Sequence, residues 1–575
     1  MVANFEGGTL SSDGGLVLLG ETERRRRIIK RFAECFVDYR DPEALEHPVA
    51  DLVAQRVYGL ALGYEDLNDH DELRADRDFM EAFFNSQGLK GAALRTQLGQ
   101  LGLEEAPDAR LQGLPVHEQL FEADLAWHVR AWGWWVLQKA RADLERFYPA
   151  VDGKLTVAYL WARTVTCKNC RATIPLLKTR WLCKKPKKRA LLTMDLKDDP
   201  TGIIFGVQND VPVVGANAAQ RREHDKRIGA GTMSRSGASC PCCSPDKPTM
   251  PQQDIRLEGR TGRLGAVMTA VVVDGGNGKE YRLPMREEEL AAAETANHVE
   301  EVFSGIPFGI PDEPTPTQSQ FSGIANYGFL QWSKIFTPRQ LLALGTFVKH
   351  TRAACGAISE AGYTKECSEA LVSYLAFVVD RVANRASTQC MWGVSTEKIE
   401  QTFARFALPI HWDFPESNPV SGASGNYADS VEWVARVCAH ATAAAGPARP
   451  SCLCQSATAT ISDQFDVVLT DPPYYREIPY SDLMDFFYVW LRRTLTGISQ
   501  KIDTVFSEPL GPKWDHDKND GELIDDASRF EGDSERSKKA YEDGMFRAFV
   551  SCHHALRPDG TTASWRRCRR RSGQG

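Results

Sequence analysis

Apolar residues recur at helical spacing in several long stretches of the chain. Residues 49–62 carry one apolar face, and residues 118–148 carry a longer, aromatic-rich face. Residues 339–360 and 365–384 show the same period, which predicts amphipathic helices. Thr337 and Pro338 stand before the third stretch and suit an N-cap followed by a proline in the first turn.

Short apolar runs elsewhere predict strands. They lie at residues 155–165, 203–205, 266–273 and 465–470. Residues 216–251 are polar and rich in Gly, Ser and Pro, which is typical of loops. Helices and strands along one chain together predict an α/β fold.

These patterns divide the chain into seven segments. In chain order they are 1–87, with turn signals and one helix; 88–114, a Gly-, Gln- and Ala-rich junction; 115–150, helical; 151–260, β-rich with cysteines; 261–445, mixed helix and strand; 446–560, which holds the strand at 465–470; and 561–575, a basic tail. Residues 556–560 are typical of a turn, and the tail lacks the apolar residues of a strand. We interpret the tail as a frameshifted or truncated end, in preference to a DNA contact.

The amino-acid composition excludes few classes of protein. The hydrophobic fraction of 42% allows a sizeable core, and the formal charge of −7 gives no general support for nucleic-acid binding. Any DNA contact would therefore come from local basic patches. Neither a signal peptide nor a membrane span is recognisable, so we expect a cytoplasmic protein whose 15 cysteines stay reduced.

Four cysteines form two closely spaced pairs, Cys167 with Cys170 and Cys240 with Cys243. Four thiolates suit tetrahedral Zn²⁺ in a structural site. The gap of about 70 residues between the pairs exceeds the roughly 12–20 of commoner zinc patterns, which leaves two unrelated pairs as the alternative. Cys242 could compete as a ligand, and Cys183 is a weaker candidate.

The tetrapeptide Asp471-Pro472-Pro473-Tyr474 follows the predicted strand at 465–470. An exocyclic amine of a base is a poor nucleophile unless acceptors hold its hydrogens. Asp471 offers a carboxylate, Pro472 offers a carbonyl at a rigid turn, and Tyr474 can stack on a base that has left the duplex. The alternative is an ordinary turn after a strand.

The tetrapeptide and its surroundings resemble the adenine-specific DNA methylases that contain a zinc ribbon. The similar blocks lie at 160–165, 336–341, 374–381, 412–419, 470–475 and 478–492, and the resemblance covers about residues 113–560. It implies a Rossmann-like methyltransferase sheet with an inserted ribbon, S-adenosylmethionine as methyl donor and adenine N6 of DNA as acceptor. On this resemblance Asp471, Pro472, Pro473 and Tyr474 are the catalytic base site. Tyr475 and Tyr480 then bind the substrate, and the four cysteines hold the zinc.

The half of such an enzyme that binds the methyl donor is not recognisable in the sequence. A methyltransferase needs a Gly-rich loop after its first strand, and none is recognisable here. Residues 275–278 are Gly-rich, but they predict a hairpin turn. We therefore expect impaired donor binding, or a partner chain that supplies this half.

The N-terminal segment resembles the start of a DDE insertion-sequence transposase. The similarity rests on residues 10–19, 38–42 and 55–71 and covers about residues 4–83. The family's metal-binding carboxylates lie farther along than this fragment. The acidic residues of 65–71 are interpreted as a solvated helix end.

The sequence is compatible with several functions. The resemblance favours a DNA (adenine-N6) methyltransferase, impaired by fusion to a transposase fragment. The alternatives are a transposase-related DNA-binding protein, or a non-catalytic DNA-binding module that uses the ribbon and the basic runs 24–27 and 184–189. An incomplete sheet would also leave helix 336–344 uncovered and cause aggregation.

Overall fold

A computed structural model describes residues 125–564 and Arg31. Within that range it leaves out 152, 197–201, 277, 318–321, 405–406, 423–424, 445–449, 474 and 476–477. The predictions for 1–114, for Tyr474 and for the end of the tail lie outside the described residues. Within them, no helix has both the length and the apolar character that crossing a membrane requires.

The described part of the chain contains both helices and strands. The helices are α1 (Leu125–Leu144), α2 (Ala218–Ile228), α3 (Gln252–Arg260), α4 (Arg286–Glu294), α5 (Val299–Phe303), α6 (Pro338–Glu360), α7 (Lys365–Ala383), α8 (Tyr427–Ala444), α9 (Tyr480–Leu495), α10 (Gln500–Asp503) and α11 (Ser534–His554). The strands are β1 (Thr156–Thr166), β2 (Thr173–Leu176), β3 (Trp181–Lys185), β4 (Lys188–Leu196), β5 (Ile203–Asn209), β6 (Gly237–Cys240), β7 (Ser244–Pro251), β8 (Gly265–Asp274), β9 (Lys279–Arg282), β10 (Met391–Gly393), β11 (Lys398–Glu400), β12 (Asp413–Ser417), β13 (Phe465–Thr470), β14 (Trp514–Asp515), β15 (Asp520–Gly521) and β16 (Leu556–Ser564).

The largest sheet is antiparallel and has the order β12-β1-β8-β9, with β2 also paired to β1. Strand β1 is buried over nearly its whole length because it lies in the middle of this sheet. The predicted hairpin at 275–278 is confirmed, since Asp274 pairs with Lys279 across the turn between β8 and β9. The predicted strands at 155–165 and 266–273 are confirmed as β1 and β8.

Five long helices, α1 and α6 to α9, pack together and share one hydrophobic core with residues of β1 and β8. Helix α6 starts with a capping box: the Gln340 N–H donates to Thr337 Oγ1 at 3.1 Å, and the Thr337 N–H donates to Gln340 Oε1 at 2.9 Å. The first turns of α6 are buried in the core, so the prediction that helix 336–344 would be uncovered is wrong. Helices α1, α7 and α9 cover it.

Strands β13 and β16 form a separate parallel pair. They are the only parallel partners among the named strands of the described residues. The Rossmann-like sheet that the resemblance implied is therefore not shown. The prediction of a turn at 556–560 followed by a strand-poor tail is wrong up to Ser564, because β16 runs through both.

The segment 216–251 is more regular than its composition suggests. The composition predicts loops, but the segment contains α2 and the antiparallel pair β6–β7. The three-stranded sheet β3-β4-β5 precedes it and includes the strand predicted at 203–205. Together with β1 and β2, these elements lie in segment 151–260, which the strand patterns predicted to be β-rich.

Candidate metal centre and base-site motif

The two cysteine pairs lie in two tight turns that face each other. The first turn follows β1, where the Cys167 N–H donates to the Ala172 carbonyl at 2.8 Å and the Arg171 N–H donates to the Cys167 carbonyl at 3.0 Å. The second turn joins β6 to β7 and contains Cys240 and Cys243. Strands β2 and β6 lie against each other, so residues far apart in sequence share one site.

The four sulfur atoms have the spacing that a tetrahedral metal requires. All of them lie within 4.8 Å of one another. The Cys167 and Cys243 Sγ atoms are 3.7 Å apart, and the Cys170 and Cys240 Sγ atoms are 3.6 Å apart. A Zn–S bond of about 2.3 Å in a regular tetrahedron places neighbouring sulfurs about 3.8 Å apart. The residues present therefore fit zinc.

The pKa values of three cluster thiols indicate which of them loses its proton without a bound cation. Burial raises the pKa of Cys167, but N–H donors of Cys170 and Asn169 outweigh it and bring the pKa down to about 7. Burial and hydrogen bonds to the neighbouring sulfurs raise the pKa of Cys240, and raise that of Cys243 to about 11. The Cys167 thiolate thus forms readily, whereas Cys240 and Cys243 need a cation to release their protons.

The two other candidate cysteines lie outside the four-sulfur cluster. Cys242 stands between two cluster members but is not one of them. Cys183 is buried in a neighbouring part of the core, where its thiol lies 3.2 Å from the Lys188 carbonyl. Among the alternatives, the structure thus brings together Cys167, Cys170, Cys240 and Cys243.

The predicted base-site motif follows β13 directly. Asp471 is exposed, whereas Pro472 is buried at the turn. The Pro473 carbonyl accepts a hydrogen bond of 3.1 Å from the Tyr541 hydroxyl, so it is already used within the fold. Tyr475 packs edge-on against Tyr541, with ring centroids 5.2 Å apart. The motif is therefore anchored to α11, and the Asp471 carboxylate is left accessible.

Tyr480, the other predicted substrate residue, is the first residue of α9 and is exposed. The far end of α9 is fixed by Arg493, whose guanidinium donates to both Glu313 oxygens at 2.8 and 3.0 Å. The helix that follows the motif is thus rigidly held in the helical core. Tyr474 itself lies outside the described residues.

The basic run 184–189 has internal partners. Lys185 and Lys188 pair with Glu397 at 2.7 and 2.8 Å. Lys184 pairs with Asp225 at 3.3 Å, and Arg189 pairs with the same carboxylate. These cations therefore hold the sheet β3-β4-β5 to its neighbours, which weakens their predicted role in DNA binding. The other run, 24–27, lies outside the described residues.

Sequence reasoning missed a basic surface on α2. Four cations of this helix are exposed and none of its residues is buried: Arg221, Arg222, Lys226 and Arg227. Helix α2 lies between β5 and β6 in the chain, so it leads into the second cysteine turn. The run of charges was a usable signal, but the absence of an apolar face hid the helix.

Comparison with known proteins concerns the N-terminal part. Residues 1–121 match the family model for the transposase DDE domain, group 1. This match is longer than the N-terminal resemblance, which covered about residues 4–83. It also includes residues 88–114, the segment that we interpreted from its composition as a junction. No curated protein and no solved structure matches the chain. None of the comparisons supports the methylase resemblance.

Proposed function

We propose that this chain is a transposase-related DNA-binding protein whose zinc ribbon supports a DNA contact. The family match at residues 1–121 carries the proposal, because transposases act on DNA. The four-cysteine cluster supports it by giving the ribbon a place for a structural metal.

Helix α2 is the described element best suited to contact the DNA backbone. Arg222 and Lys226 are one turn apart, so both side chains point to the same side of the helix. Asp225 is neutralised by Lys184 and Arg189, and the same ion pairs fix the helix to the sheet. The remaining exposed cations then present positive charge beside the ribbon.

The double variant Arg222→Gln/Lys226→Gln tests this contact. In anisotropy titrations with labelled duplex DNA, each lost phosphate contact should lower the slope of log affinity against log salt by about 0.9. Lys365→Gln is the matched control, since Lys365 is a well-exposed cation at the start of α7. An unchanged slope in the double variant would rule out α2 as the contact.

A second candidate function is favoured by the position of Asp471. We propose that the C-terminal part derives from an adenine-N6 DNA methyltransferase and keeps the half of the site that holds the base. An exposed carboxylate after a parallel strand, with Tyr475 beside it, suits an amino group presented by a flipped base. The carboxyl edge of parallel strands is also where such folds bind ligands.

The methyl donor does not fit the described residues. The Gly-rich donor loop of a methyltransferase follows a strand of the parallel sheet. Among the described residues, only the loop from β13 to α9 connects a strand of a parallel pair to a helix, and this loop contains no glycine. Calorimetric titration of the full chain with S-adenosylmethionine tests the candidate. We expect no micromolar binding by the chain alone, so that methylation would need a partner chain bearing the donor loop. Micromolar binding would instead indicate a complete enzyme.

A further inference from the structure

Cations and aromatic rings alternate across a surface made by α1, α8 and α7. On α8, Trp433 is 48% exposed, and two guanidiniums lie over its ring. Arg381 of α7 is 5.0 Å from the ring centroid, and Arg436 of α8 is 5.8 Å from it. Phe377 lies one turn before Arg381 and is 49% exposed. We call this set, with its continuation on α1, the α7–α8–α1 surface.

The same surface continues from α8 onto α1. Glu432 is largely buried and accepts from both Arg436 and Arg130, at 2.8 and 2.7 Å. Arg130, Trp134 and Glu432 line a small cleft of about 60 Å³ between the two helices. Arg141 lies 5.9 Å from the centre of the Trp134 ring. Contacts and one shared cleft therefore connect four arginines and two tryptophans.

The acidic groups at this surface do not cancel its charge. Glu432 is held between two arginines and has little exposed area. Asp429, one turn before Trp433, is the other carboxylate that faces Arg381. The arginines Arg130, Arg141, Arg381 and Arg436 outnumber these two carboxylates. The surface is thus positive, and it presents the exposed aromatic rings of Trp433 and Phe377 beside aliphatic side chains such as Val437.

We propose that the α7–α8–α1 surface binds single-stranded DNA. Unpaired bases stack on exposed aromatic rings, and arginines between the rings neutralise the phosphates of the strand. Duplex DNA does not offer its base faces in this way, so the surface is distinct from the α2 contact. The choice of DNA over RNA rests on the proposed function, because it derives from the transposase match.

The full-length chain can be titrated into labelled oligothymidylate and followed by fluorescence anisotropy. Trp433→Ala should weaken binding roughly 5- to 150-fold, as expected for the loss of one stacked base. Arg381→Gln should lower the salt slope by about 0.7, the value for one phosphate of a single strand. Phe546→Ala is the aromatic control, since Phe546 is 70% exposed on α11, and it should leave binding unchanged.

Photocrosslinking with oligonucleotides that contain 5-bromodeoxyuridine locates the bound strand. Crosslinks to peptides that contain Trp433 or Trp134 would support the proposal. The proposal is overturned if the wild-type chain does not bind the oligonucleotide at low salt, or if Trp433→Ala and Phe546→Ala have the same effect. Crosslinks to other peptides, or tighter binding of the matching RNA, would also overturn it. The α2 double variant should keep single-strand binding, so failure of the duplex contact and failure of this surface give different results.

Discussion

The sulfur atoms of Cys167 and Cys243 lie 3.7 Å apart although 76 positions separate the two residues in the chain. Two turns, one between β1 and β2 and the other between β6 and β7, meet at this point. A metal that bridges the turns would stabilise the region by closing this long loop.

We predict about one zinc per chain in the purified protein, measured by plasma mass spectrometry. Cys170→Ser should lose the metal, because three thiolates and a hydroxyl bind Zn²⁺ far less tightly. Cys242→Ser is the control and should keep it, since Cys242 is outside the four-sulfur cluster. Metal-free protein with all four cysteines intact would contradict the site.

The buried pair of Arg339 and Glu416 should be essential for stability. Both side chains are almost completely buried, and Glu416 also accepts from the Thr337 hydroxyl at 2.7 Å. Glu416→Gln leaves the guanidinium buried without a counter-ion, so the free energy of unfolding should fall by about 3–5 kcal/mol. Chemical denaturation measures this loss.

Lys365→Gln provides the comparison for that variant. It breaks an exposed pair with Glu369, so its effect should stay within about 0.5 kcal/mol. If Glu416→Gln proves no more destabilising than Lys365→Gln, the buried pair is not important for the fold.

The ionisation of Glu397 should make the stability of the β-rich region depend on pH in the acidic range. Burial raises its pKa, but hydrogen bonds from Lys185, Lys188 and Tyr281 outweigh burial and lower the pKa from 4.5 to about 2. A lowered pKa in the folded state stabilises the protein above pH 4.5, and this contribution is lost as the pH falls from 4.5 to about 2.

Urea unfolding of the wild type and of Glu397→Gln between about pH 7 and about pH 2 measures this contribution. The difference in stability should be largest near neutral pH and should shrink as the solution becomes acidic. A difference that stays constant over this range would show that the Glu397 carboxylate is not specially stabilised.

Strand β13 should make the chain prone to self-association. Phe465, Val467 and Leu469 lie on one face of the strand and are 42%, 47% and 62% exposed. Parallel strands are normally covered on both faces, and an uncovered apolar strand is a site of aggregation. We expect light scattering to rise with protein concentration.

Leu469→Thr should reduce that scattering without a large loss of stability, because Leu469 is exposed. Leu257→Thr is the control, since Leu257 is 56% exposed on α3, and it should have little effect. A wild-type chain that stays monodisperse, or equal effects of the two variants, would show that β13 is protected.

Local patterns predicted the regular elements well. Strand β13 has the bounds expected from its apolar run because the prolines after Asp471 stop it. Helix α6 starts where Thr337 and Pro338 indicated, because capping depends on neighbouring residues alone. The choice of Cys243 as the fourth cluster member also agrees with the sequence spacing.

Features that depend on distant partners were not predictable. Helix α2 has no buried residue, so it lacks the apolar periodicity that identifies a helix. Strand β16 pairs with β13 through main-chain hydrogen bonds, which its residue types did not indicate. The cations of residues 184–189 could not be assigned to ion pairs because Asp225 and Glu397 are far away in sequence.

The binding of duplex DNA by the zinc-loaded full-length chain is the most direct test of the proposed function. We expect saturable binding in anisotropy titrations at low salt, with an affinity whose logarithm falls linearly with the logarithm of the salt concentration. Removal of zinc by a chelator should weaken it. Absence of duplex binding by the zinc-loaded chain at low salt would contradict a DNA-binding function.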